Sequence, residues 1–229
     1  MGGAGTARTG SADVTSAGGR AHWERVYEEK TDAQLSWWRA RAGLSRALIE
    51  DALRGRGDHE APARVLDVGG GECTLGVEIA ALGCEVTVLD LSGAALDRGR
   101  RRAVALDAAA AARMRWMEGD VTKTAAETLG MVDVWHDRAV FHFLTDTTHQ
   151  VSYASLLEAT LAPGGVAVIG TFALDGPERC SGLPVVRRDA QGIAAAMGPG
   201  FTLVQAHREV HATPWGSEQP FAFAVLRRR

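Results

Sequence analysis

The run Asp67-Val68-Gly69-Gly70-Gly71-Glu72-Cys73, with Asp90 closing the next apolar run and Asp120 following the one after, carries the strongest chemical signal in the sequence. Glycines at such a bend let the backbone approach a ligand where a Cβ would collide, and an acid ending the neighbouring strand is placed to accept from ribose hydroxyls. Leu91 continues the rim beside that acid. Asp120, in Glu118-Gly119-Asp120-Val121, offers an acceptor for an exocyclic amine such as that of adenine. Together these residues describe a nucleoside site. A dinucleotide fingerprint needs G-x-G-x-x-G, but counting from Gly69 the third glycine position is Thr74, and an acid stands two residues before the first glycine. A carboxylate at Asp67 repels a diphosphate and helps to position a ligand with an ammonium group. The pattern favours a cofactor without pyrophosphate.

A second group follows Val132 to Trp135: His136, Asp137, Arg138 and, beyond Phe141, His142. A hydroxyl or amine acceptor must lose a proton, and His136, Asp137 and His142 are the nearest side chains in sequence for that work. Asp137 can equally be a structural acid that ties down the Trp23 segment or backbone amides, and His142 a satisfied core histidine. Arg138 either steers an anionic acceptor or pairs with Asp137 or Glu178. Asp137, Arg138 and His142 are therefore the catalytic candidates. Near the start, Trp23, Trp37 and Trp38 fall within sixteen residues. Indole faces stabilise a cation by about 0.5 to 2 kcal/mol while excluding water, so the cluster suits a lid over a positive charge; the alternative is aromatic anchoring of a helix to a sheet.

Such residues need strands that end beside them. Arg64 to Val68, before the glycines, reads as a strand and tight loop. Leu75, Ile79 and Leu82 recur at helical spacing, Gly83 supplies the stop, and Glu85 to Leu89 is the next strand. Ser92 caps a helix whose inner stripe is Ala95, Leu96, Gly99 and Ala103, leaving Arg98, Arg100, Arg101 and Arg102 mostly outward as a solvated face. Further strands are expected at Arg115 to Glu118, Val132 to Trp135 and Val166 to Thr171. A helix from Val151 to Leu161 and a turn at Pro163-Gly164-Gly165 precede the last of them. Asp189 caps a helix to Met197, and Phe201 to Val210 with Phe221 to Leu226 form an antiparallel hairpin. Alternating strands and helices imply a doubly wound, Rossmann-like, mostly parallel sheet of seven strands, whose ligands bind at the strands' carboxyl ends. The ordered domain spans residues 21–229, with 21–60 a helical lid.

Composition narrows the partners. Of 229 residues, 46% are hydrophobic, enough for one sizeable core, and 25 basic against 28 acidic residues leave a net charge of -3. That balance gives no electrostatic grip on nucleic acid or on an anionic membrane. Residues Gly2 to Gly19 are nearly all Gly, Ala, Ser and Thr, so 1–20 is expected to be a disordered leader without the apolar core of a secretory signal. Three cysteines without CxxC spacing, and scattered histidines, signal neither a disulfide scaffold nor a metal site. The expectation is a cytoplasmic protein, a monomer or weak homodimer, acting on a small molecule.

From Ala21 onwards the chain resembles the class I S-adenosylmethionine-dependent methyltransferases. In that family the D-x-G-x-G loop holds the methionine part of the cofactor, which places Asp67, Gly69, Gly70 and Gly71 there. The acid ending strand two, here Asp90, holds the ribose, and Asp120 with Val121 meets the adenine. Many members carry a further glycine where this chain has Cys73. Trp135 to Phe141, Asp175-Gly176-Pro177 with Pro184, and the pieces His22 to Tyr27 and Ser36-Trp37-Trp38 are similar to the branch of thiopurine, thiol and halide methyltransferases. The resemblance implies Trp23, Tyr27 and Trp37 as lid residues, His136 beside the cofactor, S-adenosylmethionine as the methyl donor, and a thiol, selenol or other soft nucleophile as acceptor. The segment after strand four is also similar to protein lysine methyltransferases, and a nucleoside-binding module without catalysis is a third reading.

Overall fold

The computed structural model describes residues 18–38, 43–56, 61–72 and 74–229. The expected leader up to residue 17, and Cys73, lie outside the described residues. Two helices, α1 (Gly19–Glu29) and α2 (Gly43–Arg54), with a 3-10 turn at Asp32–Gln34 between them, precede β1 (Arg64–Val68). The chain continues through α3 (Leu75–Ala80), β2 (Glu85–Asp90), α4 (Gly93–Leu106), α5 (Ala108–Ala111), β3 (Met114–Glu118), α6 (Ala126–Leu129) and β4 (Val132–Arg138). Then follow α7 (Thr147–Thr160), β5 (Leu161–Phe172), a short ladder of β6 (Arg179–Cys180) and β7 (Leu183–Pro184), α8 (Ala190–Met197), β8 (Phe201–Ala212) and β9 (Glu218–Arg228).

The main sheet has seven strands in the order β3-β2-β1-β4-β5-β9-β8. Its first five strands are parallel, and β9 is antiparallel to both β5 and β8. This is the doubly wound sheet with a closing hairpin that the alternation of periods predicts. The β6–β7 ladder has no sequence signal. Strand order reverses between β1 and β4, which opens a crevice beyond their carboxyl ends where ligands bind in such sheets.

Period-two alternation sorts the core into two layers. Leu66, Val68, Trp135 and Ile169 pack with Tyr153, Leu157 and Ile193 on one face. Val65, Val86, Val88 and Val134 pack with Ile49, Leu75, Ile79 and Leu96 on the other. Helix starts are fixed by side-chain caps, each worth about 1 kcal/mol: Ser92 Oγ accepts from Ala95 N, Asp146 from Thr148 N and Asp189 from Gly192 N.

Three expectations need correction. Helix α3 ends at Ala80, so Leu82 lies in the following turn, 48% exposed, instead of extending the buried stripe. Of the four arginines on α4, Arg100 and Arg101 are solvated, but Arg98 and Arg102 are half-buried. They flank the inner stripe on its Gly99 edge, where Asp32 and Glu72 present carboxylates to them. The turn at Pro163-Gly164-Gly165 is absorbed into an irregular start of β5, where Val132 faces Leu161 and Val134 faces Val166.

Gly99 is the point of closest approach between α4 and the glycine-rich loop. A Cβ there would lie 2.3 Å from the Gly71 carbonyl oxygen and 2.7 Å from the Trp116 ring. Alanine gains about 1 kcal/mol of helix propensity over glycine, but it must push backbone aside. Gly99→Ala is therefore expected to lower stability by about 1 to 3 kcal/mol net, measured as a reduced urea midpoint at unchanged slope.

Candidate functional site

The loop after β1 turns through two glycines in the left-handed region, Gly69 at φ 66° and Gly71 at φ 45°. A Cβ on Gly71 would come within 3.0 Å of the Tyr27 hydroxyl and 3.1 Å of Asp90 Oδ2, so loop, α1 and the end of β2 converge on this residue. Asp67, 3% exposed, lies with Oδ1 2.7 Å from His136 Nδ1. That contact leaves His136 Nε2 buried and without a partner among the described residues. Asp90 Oδ1 accepts from Ser92 N at 2.9 Å. Its pKa is pushed up to about 7, chiefly by burial; the amides of Ser92 and Gly71 oppose the rise, and the charges of Asp67 and Glu24 add to it. Asp120 Oδ1 accepts from Thr122 N and Oγ1 at 2.8 and 2.7 Å, which orients its carboxylate at the mouth of the crevice.

The crevice has two adjoining compartments that share Tyr27, Trp37, Val68, Gly69 and Arg138. The larger, with about 850 Å³ of empty space, takes in Asp90, Leu91, Asp120 and Val121 at one end and Ala139, Val140, Phe143, Phe172, Cys180 and Phe221 at the other. Trp23 and Trp37 roof it, their rings 5.8 Å apart and edge-on, with Trp23 against Phe143 at 5.1 Å. The smaller, about 670 Å³, is lined by Asp67, Gly70, Glu72 and His136 together with Trp38 and Ser45. Trp38 Nε1 and Ser45 Oγ, like His136 Nε2, are buried without a hydrogen-bond partner among the described residues. Three orphaned polar atoms around one small chamber are costly unless a polar ligand meets them.

Of the residues singled out from sequence, Trp23, Tyr27, Trp37, Asp67, Gly69, Gly70, Asp90, Leu91, Asp120, Val121, His136 and Arg138 all line this crevice, and Gly71 forms its bend. Arg138 lies with its guanidinium 4.2 Å from the centre of the Phe221 ring and its Nε 4.0 Å from Glu209. Two catalytic candidates, Asp137 and His142, line neither compartment. Asp137 is fully buried and accepts from Val140 N, Phe141 N and the Tyr153 hydroxyl, at 2.8, 2.9 and 2.7 Å. Burial pushes its pKa up to about 6 against those bonds. This places it as the clamp of the turn after β4, where Ala139 takes a left-handed φ of 76°, a conformation that costs a non-glycine residue about 1 kcal/mol or more. His142 is enclosed by Phe143 and Phe172, and burial, then the charges of Arg138 and Arg188, lower its pKa to about 3. It stays neutral, as a core histidine.

Ser45, Gln219 and Phe221 escape the sequence reading although all line the crevice, and Trp38 and Glu72, which stand in the aromatic cluster and the glycine run, carry no individual role there. Ser45 sits on a helix and Glu72 in a loop, where neither residue type is unusual, and Gln219 and Phe221 arrive from β9.

Residues 66–167 match the family model described as a methyltransferase domain. No curated protein matches the chain by sequence. Among solved structures, one from work on the conversion of a disulfide bond into a thioacetal group during echinomycin biosynthesis has a TM-score of 0.70 and 20% identity, covering 91% of this chain and 92% of that one. The N-methyltransferase NodS from Bradyrhizobium japonicum WM9, in complex with S-adenosyl-L-homocysteine, has a TM-score of 0.63 and 18% identity over 90% of this chain and 97% of that one. The 1,6-didemethyltoxoflavin-N1-methyltransferase of Burkholderia thailandensis, with its substrate and S-adenosylhomocysteine bound, has a TM-score of 0.63 and 19% identity over 91% and 86%. At these identities the likeness to the solved structures is one of fold.

The raised pKa of Asp90 has a signed consequence. Between the ordinary value of 3.8 and about 7 the unfolded chain releases this proton before the folded chain does, so the folded state loses stability as pH rises through that window. Asp90→Asn removes the effect. Its stability relative to the parent, both free of ligand, is expected to improve from pH 4 to pH 7 by an amount on the order of 1 kcal/mol per pH unit at the steepest point and then level off, as read from urea midpoints across pH.

Proposed function

We propose that the crevice takes S-adenosylmethionine and that this enzyme passes its methyl group to a small-molecule acceptor, a thiol, selenol or similar soft nucleophile. The observation that carries the reading is how polar groups are distributed along the crevice. Carboxylates stand at one end, orphaned hydrogen-bonding atoms fill the small chamber, and the remaining wall is apolar. Asp90 is placed for the ribose hydroxyls and Asp120 for the adenine amine, with Leu91 and Val121 against the base. The Trp38 indole N–H and the Ser45 hydroxyl can donate to an amino-acid carboxylate, while Glu72 and His136 Nε2 face its ammonium. When bound, S-adenosylmethionine supplies an electrophilic methyl on a permanently cationic sulfur. Trp23, Tyr27 and Trp37 keep water from that charge and stabilise it by about 0.5 to 2 kcal/mol.

The acceptor end narrows the chemistry. Its wall is Ala139, Val140, Phe143, Phe172 and Phe221, and its titratable side chains are Arg138 and Cys180. Burial pushes the Cys180 thiol up to about 11, so it takes no proton from a substrate near neutral pH. With no described base at that wall, the chain's contribution is alignment, and the acceptor must arrive with its lone pair available. A thiolate or selenolate does so. Arg138 favours such an anion and opposes a lysine ammonium, which argues against a protein lysine substrate.

Release of S-adenosylhomocysteine across a panel of thiols, selenols, amines and lysine peptides tests the reading. Turnover is expected with thiols or selenols; turnover with lysine peptides alone, or none despite cofactor binding, overturns it. Asp90→Ala is expected to weaken cofactor binding by about 1 to 3 kcal/mol, the worth of hydrogen bonds to a charged acceptor. Because the ionised carboxylate accepts from both hydroxyls, the parent's affinity should tighten as pH rises through about 7. Calorimetry should find that pH dependence missing in the variant.

A further inference from the structure

The aromatic roof is carried by a segment with little core of its own: Val26, Tyr27 and Leu35 pack on Ala95, with Trp23, Trp37 and Trp38 around them. Polar tethers hold it down. Glu24 accepts from Gly93 N and Ala94 N at the start of α4, at 2.7 and 3.1 Å. His211 on β8 lies with Nε2 2.6 Å from the Ser36 carbonyl oxygen. The densest tether is a quartet of two cations and two anions. Arg98 places Nε 2.7 Å from Glu72 Oε2 and NH2 2.7 Å from Asp32 Oδ1, while its NH1 donates to the Tyr27 and Lys30 carbonyls at 2.8 and 2.9 Å. Arg102, one turn further along the same face of α4, donates to Asp32 Oδ2 and, at 3.0 Å, to the Glu72 carbonyl.

These contacts join two different pieces of the site. Tyr27, Lys30 and Asp32 belong to the roof, five residues before Trp37 in the case of Asp32; Glu72 belongs to the glycine-rich loop and lines the small chamber. Exposed ion pairs contribute little because water and salt screen them. The guanidiniums are 22% and 25% exposed, Asp32 34% and Glu72 3%, so water screens the quartet less than it does an open surface pair. We propose that Arg98 and Arg102 are positioning residues of a latch that sets how long the cofactor stays bound, by locking the aromatic roof to the glycine-rich loop through Asp32 and Glu72. The proposal rests on the reading of the crevice as an S-adenosylmethionine site. A ligand ammonium beside Glu72 would sit against the same carboxylate that the latch uses, so occupancy of the chamber and closure of the roof act through one group. Loosening the latch is then expected to raise the dissociation rate while leaving Asp90, Asp120 and the apolar acceptor wall unchanged.

The test is stopped-flow tryptophan fluorescence of the full chain with S-adenosylhomocysteine, on the parent, Arg102→Ala, Asp32→Asn and Arg102→Lys, with the exposed Arg100→Ala as control. Dissociation is expected to accelerate about tenfold or more in Arg102→Ala and Asp32→Asn, and to be partly restored in Arg102→Lys. The association rate should change by less than about threefold, since interface changes act mainly on dissociation; the urea midpoint should stay near the parent's, and the control should match the parent. A parent that binds S-adenosylhomocysteine while both Arg102→Ala and Asp32→Asn release it at the parent's rate overturns the latch alone. A parent that binds neither S-adenosylhomocysteine nor S-adenosylmethionine overturns both the latch and the reading of the crevice.

Discussion

Three carboxylates stand buried where β1, β2 and β4 end, and the way each is satisfied governs the architecture around them. Asp137 is met wholly from within, by two backbone amides and the Tyr153 hydroxyl, and so becomes part of the scaffold. Asp67 is met by the ring of His136, which is thereby held with its second nitrogen toward the small chamber. Asp90 receives the Ser92 amide and help from that of Gly71, and burial still pushes its pKa up to about 7. The sheet thus presents one closed carboxylate, one that orients a neighbour and one still short of donors. Hydroxyls of a ligand would complete the last.

Most of the architecture was legible from periodicity. Strand β1 coincides with its sequence expectation, and the stripe Ala95, Leu96, Gly99 and Ala103 is the set buried on α4. Boundaries moved where hydrogen bonds outran the apolar pattern: β4 runs on to Arg138 and β5 starts as early as Leu161. The roles of His136, Asp137 and Arg138 were harder to read. Successive strand residues point to opposite faces, so His136 and Arg138 share the crevice while Asp137 points into the core. The alternation that separates them lies past Trp135, beyond the apolar part of the strand. Arg98 and Arg102 could not have been read as latch residues, because Asp32 and Glu72 lie far from them in sequence and ion pairs leave no periodic trace. Ser45 was equally silent, since a lone serine on an amphipathic helix is ordinary.

Polarity is graded along the crevice. Carboxylates lie at one end, hydrogen-bonding atoms in the chamber, and hydrocarbon walls with one guanidinium at the far side. On the proposed reading, such a site directs its specificity to the donor molecule and leaves the acceptor to shape and to the charge of Arg138. The cation over Phe221 is itself held by an aromatic face, so that end of the crevice keeps a positive field without a lysine's freedom to swing away.

The strand order carries one more implication. Strand β9 is made last of the seven yet lies between β5 and β8, and β8 supplies the histidine that grips the roof at Ser36. During synthesis, the β5 edge must wait without its neighbour until residues 218–228 have left the ribosome. A half-made chain can therefore hold its roof to α4 through Glu24, Arg98 and Arg102, but the clasp from β8 at Ser36 comes only once β9 has joined β5 to β8.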